Sequence, residues 1–115
     1  MNKVYVYGTL RPNNSETVQI PGKLYDLGWF PGGRVDESSE SSFTCEVIEL
    51  DDEALKRTDR YEGFYEHSPE DSLFVRKPIL DGWIYEYNHE VSEDRRVKSG
   101  DWFEHKPDSR QVSFA

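Results

Sequence analysis

The sequence predicts an α+β domain: a small, mixed, partly closed β-barrel with one main flanking helix. Three observations point there. Short apolar and aromatic runs, each bounded by Gly, Pro, Asn or Asp, recur along the chain. Asp81-Gly82 joins two of them in the manner of a hairpin. No strand–helix–strand alternation appears, so a parallel doubly wound sheet is not expected. The 115 residues fit one domain spanning 1–115. Hydrophobic residues make up only 35% of the chain, but aromatics supply 14%, and each ring buries a large area. A core is therefore within reach despite the charge.

Val4-Tyr5-Val6-Tyr7 is apolar on both faces and reads as a buried strand, stopped by Gly8. Residues 11–22 carry Pro12, Asn13, Asn14, Ser15, Pro21 and Gly22 and read as loop. Lys23 to Phe30 reads as a second strand, closed by Pro31-Gly32-Gly33. The acidic, Ser-rich stretch 36–42 reads as an exposed loop, and Phe43 to Leu50 as a third strand. Asp51 reads as a helix N-cap, with Asp52 and Glu53 in the first turn where the dipole favours them. That helix runs to about Glu62, and Gly63 stops it. Ser72–Leu80 and Trp83–Asn88 flank the Asp81-Gly82 turn. Residues 89–98 read as charged loop, Ser99-Gly100-Asp101-Trp102 as a tight turn that buries an aromatic, and Val112-Ser113-Phe114 as a short edge strand.

Charge and motifs exclude several functions. A net charge of −9 argues against nucleic acid and against anionic membranes, and no run of apolar residues is long enough to span a bilayer. It favours solubility, or an acidic face that meets a basic protein partner. The single cysteine, Cys45, lies in an apolar run and reads as a small buried hydrophobe rather than a nucleophile. The start of the chain runs straight into a strand pattern, without a leader, so a cytoplasmic location is expected. His67, His89 and His105 lack metal-site spacing, so no metal is assigned, and no Gly-rich nucleotide motif or Gly-x-Ser-x-Gly elbow is present.

Two places carry chemistry. Glu62 lies seven residues after Leu55, the main apolar residue of the helix, and so falls on the same face. A carboxylate turned inward at a helix C-terminus is desolvated and faces partial negative charge. Both raise its pKa and suit it to proton transfer near neutrality. On periodicity alone, a surface carboxylate paired with Lys56 or Arg60 is the commoner outcome. The second place is Tyr7-Gly8-Thr9-Leu10, where a buried strand ends at a glycine. Successive amides in such a turn form an anion-binding concavity. An ordinary strand-to-loop turn has the same composition.

These motifs together resemble the γ-glutamylcyclotransferase-like (AIG2-like) family. The resemblance rests on Val4-Tyr5-Val6-Tyr7-Gly8-Thr9-Leu10-Arg11, Gly22-Lys23-Leu24-Tyr25-Asp26-Leu27-Gly28 with Pro31-Gly32, Asp59-Arg60-Tyr61-Glu62-Gly63-Phe64, Trp83-Ile84-Tyr85-Glu86-Tyr87-Asn88 and Ser99-Gly100-Asp101-Trp102, in that order. It implies a catalytic glutamate at Glu62, immediately before Gly63, and a substrate cradle at Tyr7, Gly8, Thr9 and Leu10; Arg11, next in the chain, is expected either to pair with the substrate carboxylate or to stand in solvent. It implies conversion of a γ-glutamyl amide (amino acid, amine or lysine isopeptide) to 5-oxoproline and a free amine. That reaction is an intramolecular aminolysis and needs no cofactor. The chain departs from the pattern at Phe74, where relatives often carry Tyr. Two other functions fit the residues less well: a non-catalytic binder using the same pocket for a small metabolite or its acidic surface for a protein, and a hydrolase using Ser or Cys45.

Overall fold

The computed structural model describes residues 1–14 and 16–106. Six strands form one curled sheet: β1 (Asn2–Val6), β2 (Val18–Asp26), β3 (Pro31–Val35), β4 (Ser42–Leu50), β5 (Phe74–Ile79) and β6 (Gly82–Tyr87). The order is β3-β2-β4-β1-β6-β5. Every neighbouring pair is antiparallel except β1 and β6, which run parallel with Val4 opposite Trp83 and Tyr5 opposite Ile84. The sheet bends into a half-barrel, so that β3 comes up against β6: the Val35 amide donates to Glu86 Oε2 at 2.8 Å. Helix α1 (Asp52–Tyr61) lies on the chain between β4 and β5, and a short helix α2 (Trp102–His105) ends the described residues. This is the α+β half-barrel with one main helix that the sequence predicts. The expected strand at 112–114 lies outside the described residues. Among the described residues no helix is long and apolar enough to cross a membrane.

The core is aromatic. Trp102, Tyr7, Tyr85, Phe43 and Phe74 are fully buried, each removing on the order of 150–250 Å² from water. Val4, Val6, Ile20, Leu24 and Ile84 fill the space between them. The turn at Ser99–Trp102 buries its aromatic as expected: Asp101 Oδ1 accepts from the Phe103 and Glu104 amides and so caps α2 over Trp102.

Three local readings need correction. β2 begins at Val18, within the expected loop, and passes through Pro21. Pro21-Gly22 is the corner at which β2 leaves β4 and pairs with β3, so the missing amide of Pro21 falls where the ladder changes partner. Pro31-Gly32-Gly33 is not a closing turn but the start of β3. Its glycines face rings rather than a bend: a Cβ on Gly33 would lie 3.0 Å from Tyr7, and one on Gly32 3.0 Å from Tyr87. The hairpin turn sits at Leu80-Asp81, with Leu80 at φ 51°, and Gly82 already pairs with Ile79. Gly82 is needed for another reason, since a Cβ there would stand 2.3 Å from the Lys3 carbonyl oxygen. The parallel contact between β1 and β6 requires that glycine. The charged stretch 89–98 is also more ordered than its composition suggests. It contains a 3-10 turn at Glu93–Arg95, and the Val97 amide donates to Leu24 O at 2.8 Å while the Val97 side chain is buried.

Candidate active site

Helix α1 places the carboxylate. Asp51 Oδ1 accepts the Ala54 amide at 2.7 Å and starts the helix. Leu55, Asp59 and Glu62 then fall on one face, and all three are buried. The end is a Schellman motif: Phe64 N donates to Asp59 O at 2.8 Å, Gly63 N donates to Arg60 O at 3.2 Å, and Gly63 takes φ 71°. Glu62 is the C-cap of that motif, its amide bonded to Thr58 O at 2.8 Å. Its side chain has no exposed surface at all. The inward carboxylate at the helix end, expected from one apolar spacing, is therefore present, and the surface alternative is not.

Sequence reasoning did not single out Asp59, which lies between Leu55 and Glu62 on the same face. Arg76 of β5 grips it with two bonds, Nε to Oδ1 at 2.8 Å and Nη2 to Oδ2 at 3.1 Å, and the Tyr85 hydroxyl donates to Oδ1 at 2.6 Å. The Arg76 guanidinium stacks 4.3 Å from the Trp83 ring centre. Burial, and then the bond to Asp59, push the Tyr85 phenol far up, with a smaller contribution from the negative charge of Glu62. The spacing of Asp59 four residues after Leu55 was the available signal, the same one that marks Glu62.

Turn 7–10 meets this face of the sheet. Tyr7 follows β1, is completely buried, and donates its hydroxyl to Tyr85 O at 2.6 Å. Burial pushes its phenol well up, and the charge of Glu62 acts in the same direction, which puts Tyr7 and Glu62 in one electrostatic neighbourhood. The Arg11 amide donates to Gly8 O at 3.0 Å and closes a β-turn whose central residues are Thr9 and Leu10. The Thr9 hydroxyl oxygen is shielded from solvent and has no hydrogen-bond partner among the described residues. Buried polar atoms are almost always satisfied, so the orphan Thr9 hydroxyl marks a place where a further group can bind. Leu10 then lines a groove of 330 Å³ with Ala54, Arg57, Thr58 and Tyr61 of α1.

Arg11 points elsewhere. Its Nε lies 2.6 Å from Glu46 Oε2 and its Nη1 2.9 Å from Asp101 Oδ1, under the Phe103 ring at 4.4 Å. Glu46 is fully buried and also accepts the Asn14 amide at 2.8 Å. The guanidinium thus ties turn 7–10 to β4 and α2 rather than opening toward a ligand. Cys45 is likewise inaccessible: burial pushes its thiol up, against a smaller opposing pull from Arg11, and a protonated thiol is a poor nucleophile. Phe74 packs among Phe30 and Tyr87 at 5.9 and 5.6 Å, as part of the core. Among the described residues no three His, Cys, Asp or Glu side chains converge as metal ligands do.

The gamma-glutamyl cyclotransferase, AIG2-like family model matches residues 4–104, a span that contains turn 7–10, Glu62 and Asp101. The chain belongs to that family. Two solved structures share the fold. An uncharacterised protein of Pyrococcus horikoshii superposes with a TM-score of 0.68 at 19% identity, over 99% of this chain and 100% of its own. YkqA from Bacillus subtilis superposes with a TM-score of 0.66 at 22% identity, over 96% of this chain but 42% of its own length. Among curated proteins none matches the sequence. In this cyclotransferase-family chain Glu62 is buried, and residues 8–11 form a hydrogen-bonded turn.

Proposed function

We propose that this family member converts a γ-glutamyl amide to 5-oxoproline and a free amine, with Glu62 as general acid/base. The observation that carries the reading is the complete burial of Glu62 at the capped end of α1, where its charge acts on the Tyr7 phenol. A carboxylate withdrawn from water and fixed by a Schellman cap is poised to exchange a proton, not to hold a surface charge.

The chemistry asks little of the protein. The α-amine of the substrate attacks its own γ-carbonyl carbon; a C–N bond forms to close the five-membered ring, and the C–N bond to the departing nitrogen breaks. The α-ammonium loses two protons over the reaction and the departing nitrogen gains two. Glu62 takes a proton on the attacking side and returns it on the leaving side, while water completes the exchange. The turn holds the glutamyl half in the folded, near-attack shape, and the Thr9 hydroxyl and neighbouring amides of the turn stabilise the carboxylate or the developing oxyanion. Asp59, gripped by Arg76 and Tyr85, fixes the helix face from which Glu62 projects.

The test is mass-spectrometric detection of 5-oxoproline from wild type and Glu62→Gln against γ-glutamyl amino acids, γ-glutamylamines and the γ-glutamyl-lysine isopeptide. Product from wild type, and turnover lowered at least a hundredfold in the variant, is expected from the general acid/base contribution. Equal turnover by both proteins refutes the mechanism. A second reading, a non-catalytic metabolite binder, draws on the same burial, because Glu62 is not part of the groove lining. It predicts thermal stabilisation by the panel without product.

A further inference from the structure

The groove beside Leu10 lies between the 7–10 turn and the helix that carries Glu62, although Glu62 itself does not line it. Leu10 comes from the turn; Tyr61 immediately precedes Glu62, and Thr58 supplies the carbonyl that holds the Glu62 amide. With a volume of 330 Å³ it accommodates an amino-acid-sized group. Its lining is apolar through Leu10, Ala54 and the Tyr61 ring, and it contains one cation and no acid. The Thr58 hydroxyl is already given to Ala54 O at 2.9 Å, so Arg57 is the charged anchor.

Arg57 stands apart from other arginines nearby. Arg11 and Arg76 are committed to carboxylates. Arg57 is exposed and, among the described residues, makes no ion pair, although Glu53 lies one helical turn before it. Arg57 is thus the one charge in the groove lining, and it is positive in a chain of net charge −9. A single cation beside an apolar slot is complementary to an apolar amino acid carrying a free carboxylate. It is not complementary to an amine without a carboxylate. The ammonium of an isopeptide-linked lysine would find no acid in the lining.

Resting on the cyclotransferase reading, we propose that the Leu10 groove receives the departing half of the substrate, and that Arg57 binds the carboxylate of that half. The preferred substrates are then γ-glutamyl derivatives of apolar amino acids rather than γ-glutamylamines. Arg57 is a specificity residue and not a catalytic one.

The test compares kcat/KM for γ-glutamyl-phenylalanine and γ-glutamyl-phenethylamine, which differ only by the carboxylate, in wild type, Arg57→Gln and Arg57→Lys. A charge-assisted bond of this kind is expected to give wild type roughly a tenfold preference for the acid, expressed mainly in KM. Arg57→Gln brings the ratio close to one, and Arg57→Lys keeps part of it. Equal use of the two substrates by wild type, or a preference that survives Arg57→Gln, overturns the inference and leaves the cyclotransferase reading standing. Absence of 5-oxoproline from both substrates, with wild type shown folded by circular dichroism, overturns that reading and the inference with it.

Discussion

Single residues in this protein divide into those that hold charge out of water and those that meet it. Asp59 is the clearest of the first kind, with two bonds from Arg76 and one from Tyr85. Removing one partner of such a network leaves the other uncompensated, at a cost of roughly 3 kcal/mol. Asp59→Asn is therefore expected to lower the unfolding free energy by that amount, read as a reduced urea midpoint at unchanged m-value. The tyrosines give a second prediction. Tyr5 donates to Asp81 Oδ1 at 2.5 Å, and that bond, more than burial, pushes its phenol up to about 12. Tyr7, Tyr25 and Tyr85 are also raised, burial leading in each. A raised phenol favours the folded state fully below its unfolded pKa of about 10, and that stabilisation is lost as pH rises from there toward 12. Phenolate absorbance should consequently rise in two stages. Tyr5, Tyr7, Tyr25 and Tyr85 form the late one, and alkaline unfolding accompanies it. A single stage near pH 10 counts against the buried hydroxyl contacts.

At the scale of elements, α1 shows what sequence can specify. Its N-cap, its dipole-facing acids, its buried face and its glycine stop were all legible, because each is set by residues within a few positions. The end of the helix is also where position matters most. Gly63 sits at φ 71°, and a Cβ there would lie 3.1 Å from Leu73 Cβ. Gly63→Ala is expected to destabilise by about 1 kcal/mol and, by loosening the cap, to lower kcat more than it raises KM. Intact turnover in that variant would separate the cap from the chemistry. The glycines of β3 and β6 were read as punctuation because, locally, Pro-Gly-Gly and Asp-Gly are turn signals. The reasons at Gly33 and Gly82 are the Tyr7 ring and the Lys3 carbonyl, from distant parts of the chain, and at Gly32 they are Leu27 and Tyr87 together. No window of neighbouring residues contains that information. The same holds for Arg11: its place beside the 7–10 turn was visible, whereas Glu46 and Asp101, which occupy its guanidinium, come from β4 and the start of α2.

On the scale of the whole molecule, buried ion pairs do the joining that a larger aliphatic core would otherwise do. Arg11, Glu46 and Asp101 bind the first strand's exit, the middle of β4 and the last described helix. Arg11→Met strands the fully buried Glu46 charge and is expected to cost about 3–5 kcal/mol, seen as a lowered Tm and loss of near-ultraviolet dichroism. A raised KM in a fold of unchanged stability would instead assign Arg11 to the substrate. The general architecture was readable from strand-length apolar runs and one helix. Partial closure of the sheet was expected as well, but not the residues that make it: β2 changes partners at Pro21-Gly22, and β3 reaches β6.

The parallel pairing of β1 with β6 also bears on how the protein is made. Of the six strands β1 leaves the ribosome before the others, yet one of its two edges stays open until residues 82–87 have been synthesised. An apolar strand with an open edge invites pairing with a neighbouring chain. A nascent chain halted after β4 should therefore be captured by chaperones, and release should follow once β6 clears the exit tunnel. In refolding from denaturant, the same closure between chain-distant strands is expected to make folding a matter of milliseconds to seconds rather than microseconds.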